Sequence, residues 1–161
     1  MFAVLSHRLG ALPKLSPTCY LLLLFSFLEC AAGGIAYYLS LYLSTSTPLT
    51  KFQIGQIGSI IGFGALSGAL FSTYITDRLS SKNVIIASFI LLSLSFFCLP
   101  QSMSFIVISV CAFIIGSATS IFLTTNNTLL LQHTPQDHTS LRFAQSMKVV
   151  SENLGNSCSI L

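Results

Sequence analysis

Charged side chains are scarce in this sequence, and their scarcity argues against a soluble fold. Asp, Glu, Lys and Arg make up only 7% of the 161 residues, while 53% are hydrophobic. Soluble domains carry roughly 25% charged residues, and a soluble chain this poor in charge would expose large apolar patches that drive association. The seven basic residues are spread along the chain without a cluster, so no nucleic-acid partner is expected.

Cysteine pairs and catalytic motifs are also missing. None of the five cysteines has another at CxxC spacing, so they predict small packing residues rather than disulfides or zinc ligands. No serine–histidine–acid set, phosphate-binding loop or metal motif is visible. His133, Asp137 and His138 share one polar loop, but without a nearby cysteine they give little support for a metal site. The sequence therefore predicts no enzyme activity, no cofactor and no metal.

Long apolar runs are what the chain does have, and they predict an all-α polytopic transmembrane helical bundle. A helix of about 20 apolar residues crosses a hydrocarbon core of about 30 Å. After a cytoplasmic N-terminal segment over residues 1–16, the transmembrane domain is expected over residues 17–161. Its predicted spans cover residues 18–43, 52–76, 84–99, 103–131 and 143–161, which makes about four complete spans and a partial, more polar fifth.

Helix-start signals mark the first two spans. Ser16 followed by Pro17 is typical of an N-cap and the first residue of a helix. Thr50 and Gln53 have the spacing of a capping box, in which the side chain of each residue bonds the backbone N–H of the other. These signals predict that the helices begin close to residues 17 and 51.

Glycine is concentrated in the second span. Gly58-xxx-Gly62 and Gly64-xxx-Gly68 have the spacing that lets membrane helices approach closely. Glycine weakens a soluble helix by about 1 kcal/mol per residue, but backbone hydrogen bonds have no aqueous competitor in lipid. The second span is therefore expected to pack closely against a neighbour.

The basic residues predict the orientation of the bundle. With a cytoplasmic N-terminus, five basic residues lie inside and only Lys51 lies outside, which satisfies the positive-inside rule. The five are Arg8, Lys14, Arg78, Lys82 and Arg142. We therefore expect a multi-pass protein of the inner or plasma membrane, with the lipid bilayer as its environment.

The turn between the second and third spans carries a family pattern. Residues 73–82 read TYITDRLSSK, and Asp77, Arg78 and Lys82 match the loop pattern G-x-L-a-D-R-x-G-R-K. Serine or threonine replaces both glycines and one basic residue of that pattern. The segment, with the glycine-rich helix before it, resembles the major facilitator superfamily of secondary transporters. Residues 126–133 and 153–155 are similar to bacterial drug-efflux members.

The resemblance covers residues 17–161 and implies a fold of two six-helix halves that rock around a central site. On this interpretation the chain is an N-terminal fragment, truncated in the fifth helix and missing its C-terminal half. A small solute or drug would be the substrate, with protons as a possible coupling ion. The alternative is a small membrane-embedded structural or interaction protein without transport activity.

Glu29, near the middle of the first span, is the most informative single residue. A carboxylate there costs about 2.5–3.5 kcal/mol on insertion scales, so it should face the bundle interior or a water-filled cavity. Gly33, Ala36 and Ser40 share its helix face. Two interpretations remain open, a proton-coupling or cation-binding site and a protonated carboxyl that bonds a neighbouring helix for packing.

In the fourth span, Gly116, Ser120, Thr124 and Asn127 fall on one face at helical spacing. This face predicts either a polar wall of the substrate cavity or close packing with side-chain hydrogen bonds. Asn127 fits both.

Two further sets of charges have different expected roles. The resemblance implies that Asp77, Arg78 and Lys82 form a cytoplasmic gating loop that pairs with the opposite half. Lys148 and Glu152, four residues apart in the fifth span, have the spacing of an intrahelical ion pair. No function is assigned to that pair from the sequence.

Overall fold

The protein is described by a computed structural model that covers residues 15–158, except for the side chains of residues 32–37. Within these residues the chain forms five α-helices and no strands, which confirms the all-α fold class. The helices are α1 (Pro17–Ser46), α2 (Lys51–Arg78), α3 (Ser81–Cys98), α4 (Phe105–His133) and α5 (His138–Cys158). A 3-10 turn over Leu99–Gln101 follows α3. Most of the predicted N-terminal segment and the last residues of the predicted fifth span lie outside the described residues.

Three of the described helices are long and apolar enough to cross a membrane. They are Lys51–Arg78, Ser81–Gln101 and Phe105–His133. The described part of α1 adds an apolar stretch over Pro17–Ala31. Large apolar side chains on the outside of the bundle, such as Phe52, Leu70 and Ile106, are more than 70% exposed. Such a surface suits lipid and would be unfavourable in water.

The predicted helix starts are confirmed. Ser16 caps α1 by accepting a hydrogen bond from the backbone N–H of Cys19 at 3.3 Å, and Pro17 is the first helical residue. At α2, Thr50 and Gln53 form both bonds of the capping box. Each cap satisfies backbone N–H groups that have no partner within the helix. The caps therefore define where the first two helices begin.

Asp137 begins α5. Its Oδ2 atom accepts a hydrogen bond from the backbone N–H of Ser140 at 2.9 Å. Side-chain and backbone hydrogen bonds from Ser140 stabilise the ionised carboxylate and hold the pKa of Asp137 below its ordinary value. The carboxylate of this loop therefore serves as a helix cap. Among residues 15–158, no cluster of three potential metal ligands is found.

Helix α4 is the centre of the bundle. It packs extensively against α2 and α3 and also contacts α1 and α5, while α5 packs mainly on α1. Apolar side chains form one cluster that includes Leu43, Ile57 and Ile108, and another at the opposite end that includes Leu22, Phe122 and Ala144. Glu29 lies in α1 between the parts of that helix that belong to the two clusters.

The contact between α2 and α4 depends on glycine. A Cβ atom built on Gly64 or Gly68 would collide with the carbonyl oxygen of Phe113 or Ser117, respectively. From the other side, Gly116 lies equally close to the backbone of α2. The second predicted motif, Gly64-xxx-Gly68, is thus the one that packs. The glycines of the first motif, Gly58-xxx-Gly62, contact no other described helix, because no atom lies within 4 Å of a Cβ built on Gly58 or Gly62.

This difference predicts opposite outcomes for two equivalent substitutions. Gly64→Ala should lower the stability by about 1–3 kcal/mol, because the added methyl group forces two backbones apart. Gly58→Ala is the matched control on the same helix and should be neutral or stabilising. Thermal unfolding of the purified protein in detergent measures both. Equal losses in the two variants would contradict the observed helix contact.

Candidate functional site

Glu29 lines a partly open cavity between four helices. Its side chain is only 8% exposed, and it borders a space of about 260 Å³. Helices α2, α3 and α4 contribute mostly apolar walls, with the hydroxyls of Ser93 and Thr119 as polar exceptions. The main apolar lining residues are Ile61, Phe89, Leu92, Phe96 and Ile115. The arrangement places one ionisable group in an otherwise uncharged space.

The carboxyl of Glu29 has a weak local partner. The thiol of the adjacent Cys30 donates a hydrogen bond to Glu29 Oε2 at 3.5 Å. Among the side chains that the structure describes, no donor from another helix reaches this carboxyl. A carboxyl that served only to join helices would be bonded across an interface. Among the described residues, the Glu29 carboxyl thus lies at the cavity wall and takes no part in a hydrogen bond between two helices.

Helix α5 crosses α1 close to Glu29. The hydroxyl of Ser151 donates a hydrogen bond to the carbonyl oxygen of Leu23 at 2.7 Å. One turn further along α5, a Cβ built on Gly155 would lie 2.5 Å from the Phe27 carbonyl oxygen and 2.9 Å from Cys30 Cβ. These contacts hold α5 against the segment of α1 that contains Glu29.

The crossing of α1 and α5 also brings a pair of charged residues near Glu29, although neither residue lines the cavity. Lys148 Nζ lies 2.8 Å from Glu152 Oε1, with the two side chains only 13% and 26% exposed. Glu29 interacts electrostatically with both residues. Sequence analysis predicted the pair but assigned it no function. The available signal was that Lys148 and Glu152 are the charged residues of an otherwise uncharged stretch from residue 143 onward.

Asn126, rather than Asn127, joins α4 to α1. Its side-chain Nδ2 donates hydrogen bonds to Ser26 Oγ at 2.7 Å and to the Leu22 carbonyl oxygen at 3.3 Å. Its Oδ1 atom is buried without a partner among the described residues. Asn127 is exposed and does not line the Glu29 cavity. Helical phase explains the difference, because Asn126 continues the buried row through Ile115 and Phe122.

The rest of the predicted polar face on α4 divides between two roles. Gly116 is buried against α2 and also borders the cavity. The hydroxyl of Thr124 donates a hydrogen bond to the Ser120 carbonyl oxygen within its own helix at 2.9 Å. Thr119, which the sequence analysis did not select, supplies the α4 hydroxyl of the cavity wall.

The predicted gating loop lies away from the cavity. Asp77, Arg78 and Lys82 are exposed and are not among the residues that line the cavity. The Arg78 guanidinium lies over the Tyr74 ring at 4.7 Å. None of these three charged residues forms an ion pair with another described residue. Of the small-residue stripe expected beside Glu29, Gly33 and Ala36 fall among the side chains outside the description, and Ser40 is exposed.

The two neighbouring asparagines provide a matched pair of substitutions. Asn126→Ala removes two hydrogen bonds between α4 and α1, each worth about 0.6 kcal/mol in a membrane bundle, so a loss of about 1 kcal/mol is expected. Asn127→Ala should leave the stability unchanged because its side chain is exposed. Unfolding by added SDS in mixed micelles measures both. A larger loss for Asn127→Ala would contradict the assignment of the buried residue.

Comparison with known proteins agrees with this architecture. The sequence model of the Major Facilitator Superfamily matches residues 2–155. Searches of characterised proteins and of solved structures gave no match. The matched range covers all five described helices except the last residues of α5. The chain therefore belongs to the major facilitator superfamily of membrane transporters and is an integral membrane protein.

Proposed function

We propose that this protein is a secondary active transporter that moves a small solute or drug by alternating access, with Glu29 as its proton-coupling carboxyl. The observation that carries the proposal is the buried Glu29 side chain, which lies against a cavity between four helices and lacks a donor from a second helix among the described residues. A buried carboxyl of this kind exchanges a proton or a cation far more readily than one fixed in a packing network.

The cavity walls favour an apolar or amphipathic solute. Phe89, Phe96 and Leu92 provide aromatic and aliphatic surface, while Ser93 and Thr119 provide only two hydroxyls. Ligand pockets of this composition bind mainly through apolar contact and use a few polar groups to orient the ligand. A sugar would leave most of its hydroxyl groups without partners. This composition supports a drug-like substrate, as the resemblance to drug-efflux members implies.

Alternating access requires a second bundle that moves against the first. The open face of α2, with Gly55, Gly58 and Gly62, has room for a closely packed helix, because no atom lies within 4 Å of a Cβ built on any of these glycines. In the transporter, this helix would come from a C-terminal half, and the exposed Asp77, Arg78 and Lys82 would close the cytoplasmic side against it. The same open face would also suit the alternative, a membrane-embedded interaction protein without transport activity.

The N-terminus is proposed to be cytoplasmic, in the inner or plasma membrane. The excess of basic residues on one side supports this orientation. In a cysteine-free background, Asn83→Cys should react with a membrane-impermeant thiol reagent only after the cells are opened. Ser46→Cys, at the other end of the bundle, should react in intact cells and serves as the control. Labelling of Asn83→Cys in intact cells would reverse the proposed orientation.

Substitution of Glu29 tests the transport function. The chain is reconstituted in liposomes that contain an impermeant pH dye, both alone and joined to the second half of a superfamily member. Drugs, sugars and amino acids are offered under a proton gradient. Glu29→Gln should abolish substrate-dependent proton movement, because the amide cannot carry a proton, while insertion into the membrane is preserved.

Asp137→Asn is the control for this test, since Asp137 caps α5 in an exposed loop. It should retain proton movement at the wild-type rate. Normal gradient-driven transport by Glu29→Gln would show that the carboxyl is only a packing element. Absence of flux for every substrate, together with recovery of a tightly bound membrane partner, would favour the alternative function.

A further inference from the structure

The pair formed by Lys148 and Glu152 is held at a fixed place on α1. Ser151 bonds the carbonyl oxygen of Leu23, and Gly155 lies against Phe27 and Cys30. Glu152 falls between these two contacts on α5, just as Glu29 falls between Leu23 and Cys30 on α1. The backbones are therefore kept close along the segments of α1 and α5 that contain Glu29 and Glu152.

The charges at this junction do not balance. Lys148 is paired with Glu152, and Glu29 adds a second carboxyl that interacts electrostatically with both α5 residues. All three side chains are largely buried, and Glu152, at 26%, is the most exposed of them. In a medium of low dielectric constant, an ionised carboxylate without a counter-ion is strongly unfavourable. The junction is neutral only when one of the two carboxyls carries a proton.

Among the described residues, no other charged group is found to act on Glu29. The cavity residues from α2, α3 and α4 that face Glu29 are apolar or carry hydroxyls. The thiol of Cys30 is the remaining titratable group beside Glu29 among the described residues, and it donates a hydrogen bond to that carboxyl. When Glu29 loses its proton, Lys148 is therefore the cation, among the described residues, that can stabilise the new carboxylate.

We propose that Lys148 is a counter-ion shared by two carboxyls, bound to Glu152 while Glu29 is protonated and moving to Glu29 when that proton leaves. The proton passes from the Glu29 carboxyl to the cavity, and Lys148 keeps its charge throughout. The long, flexible lysine side chain, with three donors on one nitrogen, suits a change of partner without movement of the backbone. The observed contact with Glu152 at 2.8 Å is the first of these two states.

The exchange would link the charge of Glu29 to the junction of α1 and α5. With Lys148 on Glu152, the ion pair lies within α5 alone. With Lys148 on Glu29, the pair bridges two helices and tightens their contact. Lys148 thus acts as a positioning residue for the coupling carboxyl. Its use in transport rests on the function proposed above, whereas the exchange itself is measurable without transport.

The composition of the chain makes the exchange directly observable. Glu29 and Glu152 are its two glutamates, and Lys148 is the lysine beside them. Protein labelled with 13C at the glutamate carboxyls and 15N at the lysine amines gives two carboxyl signals in lipid bilayers. Glu29→Gln and Glu152→Gln each remove one signal and so assign both. Dipolar recoupling between 13C and 15N then reports which carboxyl lies beside a lysine.

In the wild-type protein, the recoupling should fall on the Glu152 signal at acidic pH and transfer to the Glu29 signal as Glu29 ionises. In Glu152→Gln, the ionised Glu29 should show recoupling, since Lys148 has no other partner. Lys148→Met should remove the recoupling from both carboxyl signals. Lys51→Met, at an exposed position, should change neither signal. Because there are two signals, either glutamate variant alone assigns both of them in the wild-type spectrum, so the failure of the other variant to fold does not weaken the test.

Recoupling that stays on Glu152 at every pH where Glu29 is ionised would overturn the proposal and leave an ordinary intrahelical ion pair. Failure of Glu29 to show recoupling in Glu152→Gln would do the same. Exchange of the signal together with normal transport by Glu29→Gln would support the shared counter-ion and contradict only the coupling role of Glu29. A shifted pH profile of transport in Glu152→Gln, with the wild-type profile in Lys148→Arg, would support both.

Discussion

The close approach of α2 and α4 is the contact on which the rest of the bundle depends. Lipid supplies no hydrophobic driving force between helices, so membrane helices associate through packing and interhelical hydrogen bonds. Gly64, Gly68 and Gly116 bring the two backbones together from both sides. Helix α4 then becomes the centre against which α1 and α3 pack. The cavity between α1, α2, α3 and α4 exists because α4 is fixed in this way.

Polar groups are retained where they join helices or border the cavity. Asn126 bonds Ser26 and the Leu22 backbone between α4 and α1, and the hydroxyls of Thr76 and Thr125 lie 3.3 Å apart between α2 and α4. Glu29 borders the cavity, and among the described residues it forms no hydrogen bond to another helix. In the function proposed above, this carboxyl at the cavity wall is the group that exchanges a proton.

Local sequence signals predicted where helices begin, but they did not predict which face of each helix is buried. The capping residues Ser16 and Thr50 predicted where helices begin because a cap depends only on residues within one turn. Glycine spacing predicted close packing in α2, but it did not separate Gly64-xxx-Gly68, which packs, from Gly58-xxx-Gly62, which is open. Likewise, adjacent asparagines differ by about 100° around a helix, and only the neighbouring helices determine that Asn126 is the buried one.

The polarity of α5 has a physical explanation that the sequence of α5 alone does not provide. A helix with a lysine and a glutamate would be costly in lipid if those side chains faced the hydrocarbon. Here, Ser151 and Gly155 hold the helix against α1, and the Lys148–Glu152 pair is largely buried. Its position beside Glu29 depends on residues more than 100 positions earlier in the chain. Local spacing therefore predicted the ion pair, whereas only the helix contact reveals the third charge beside it.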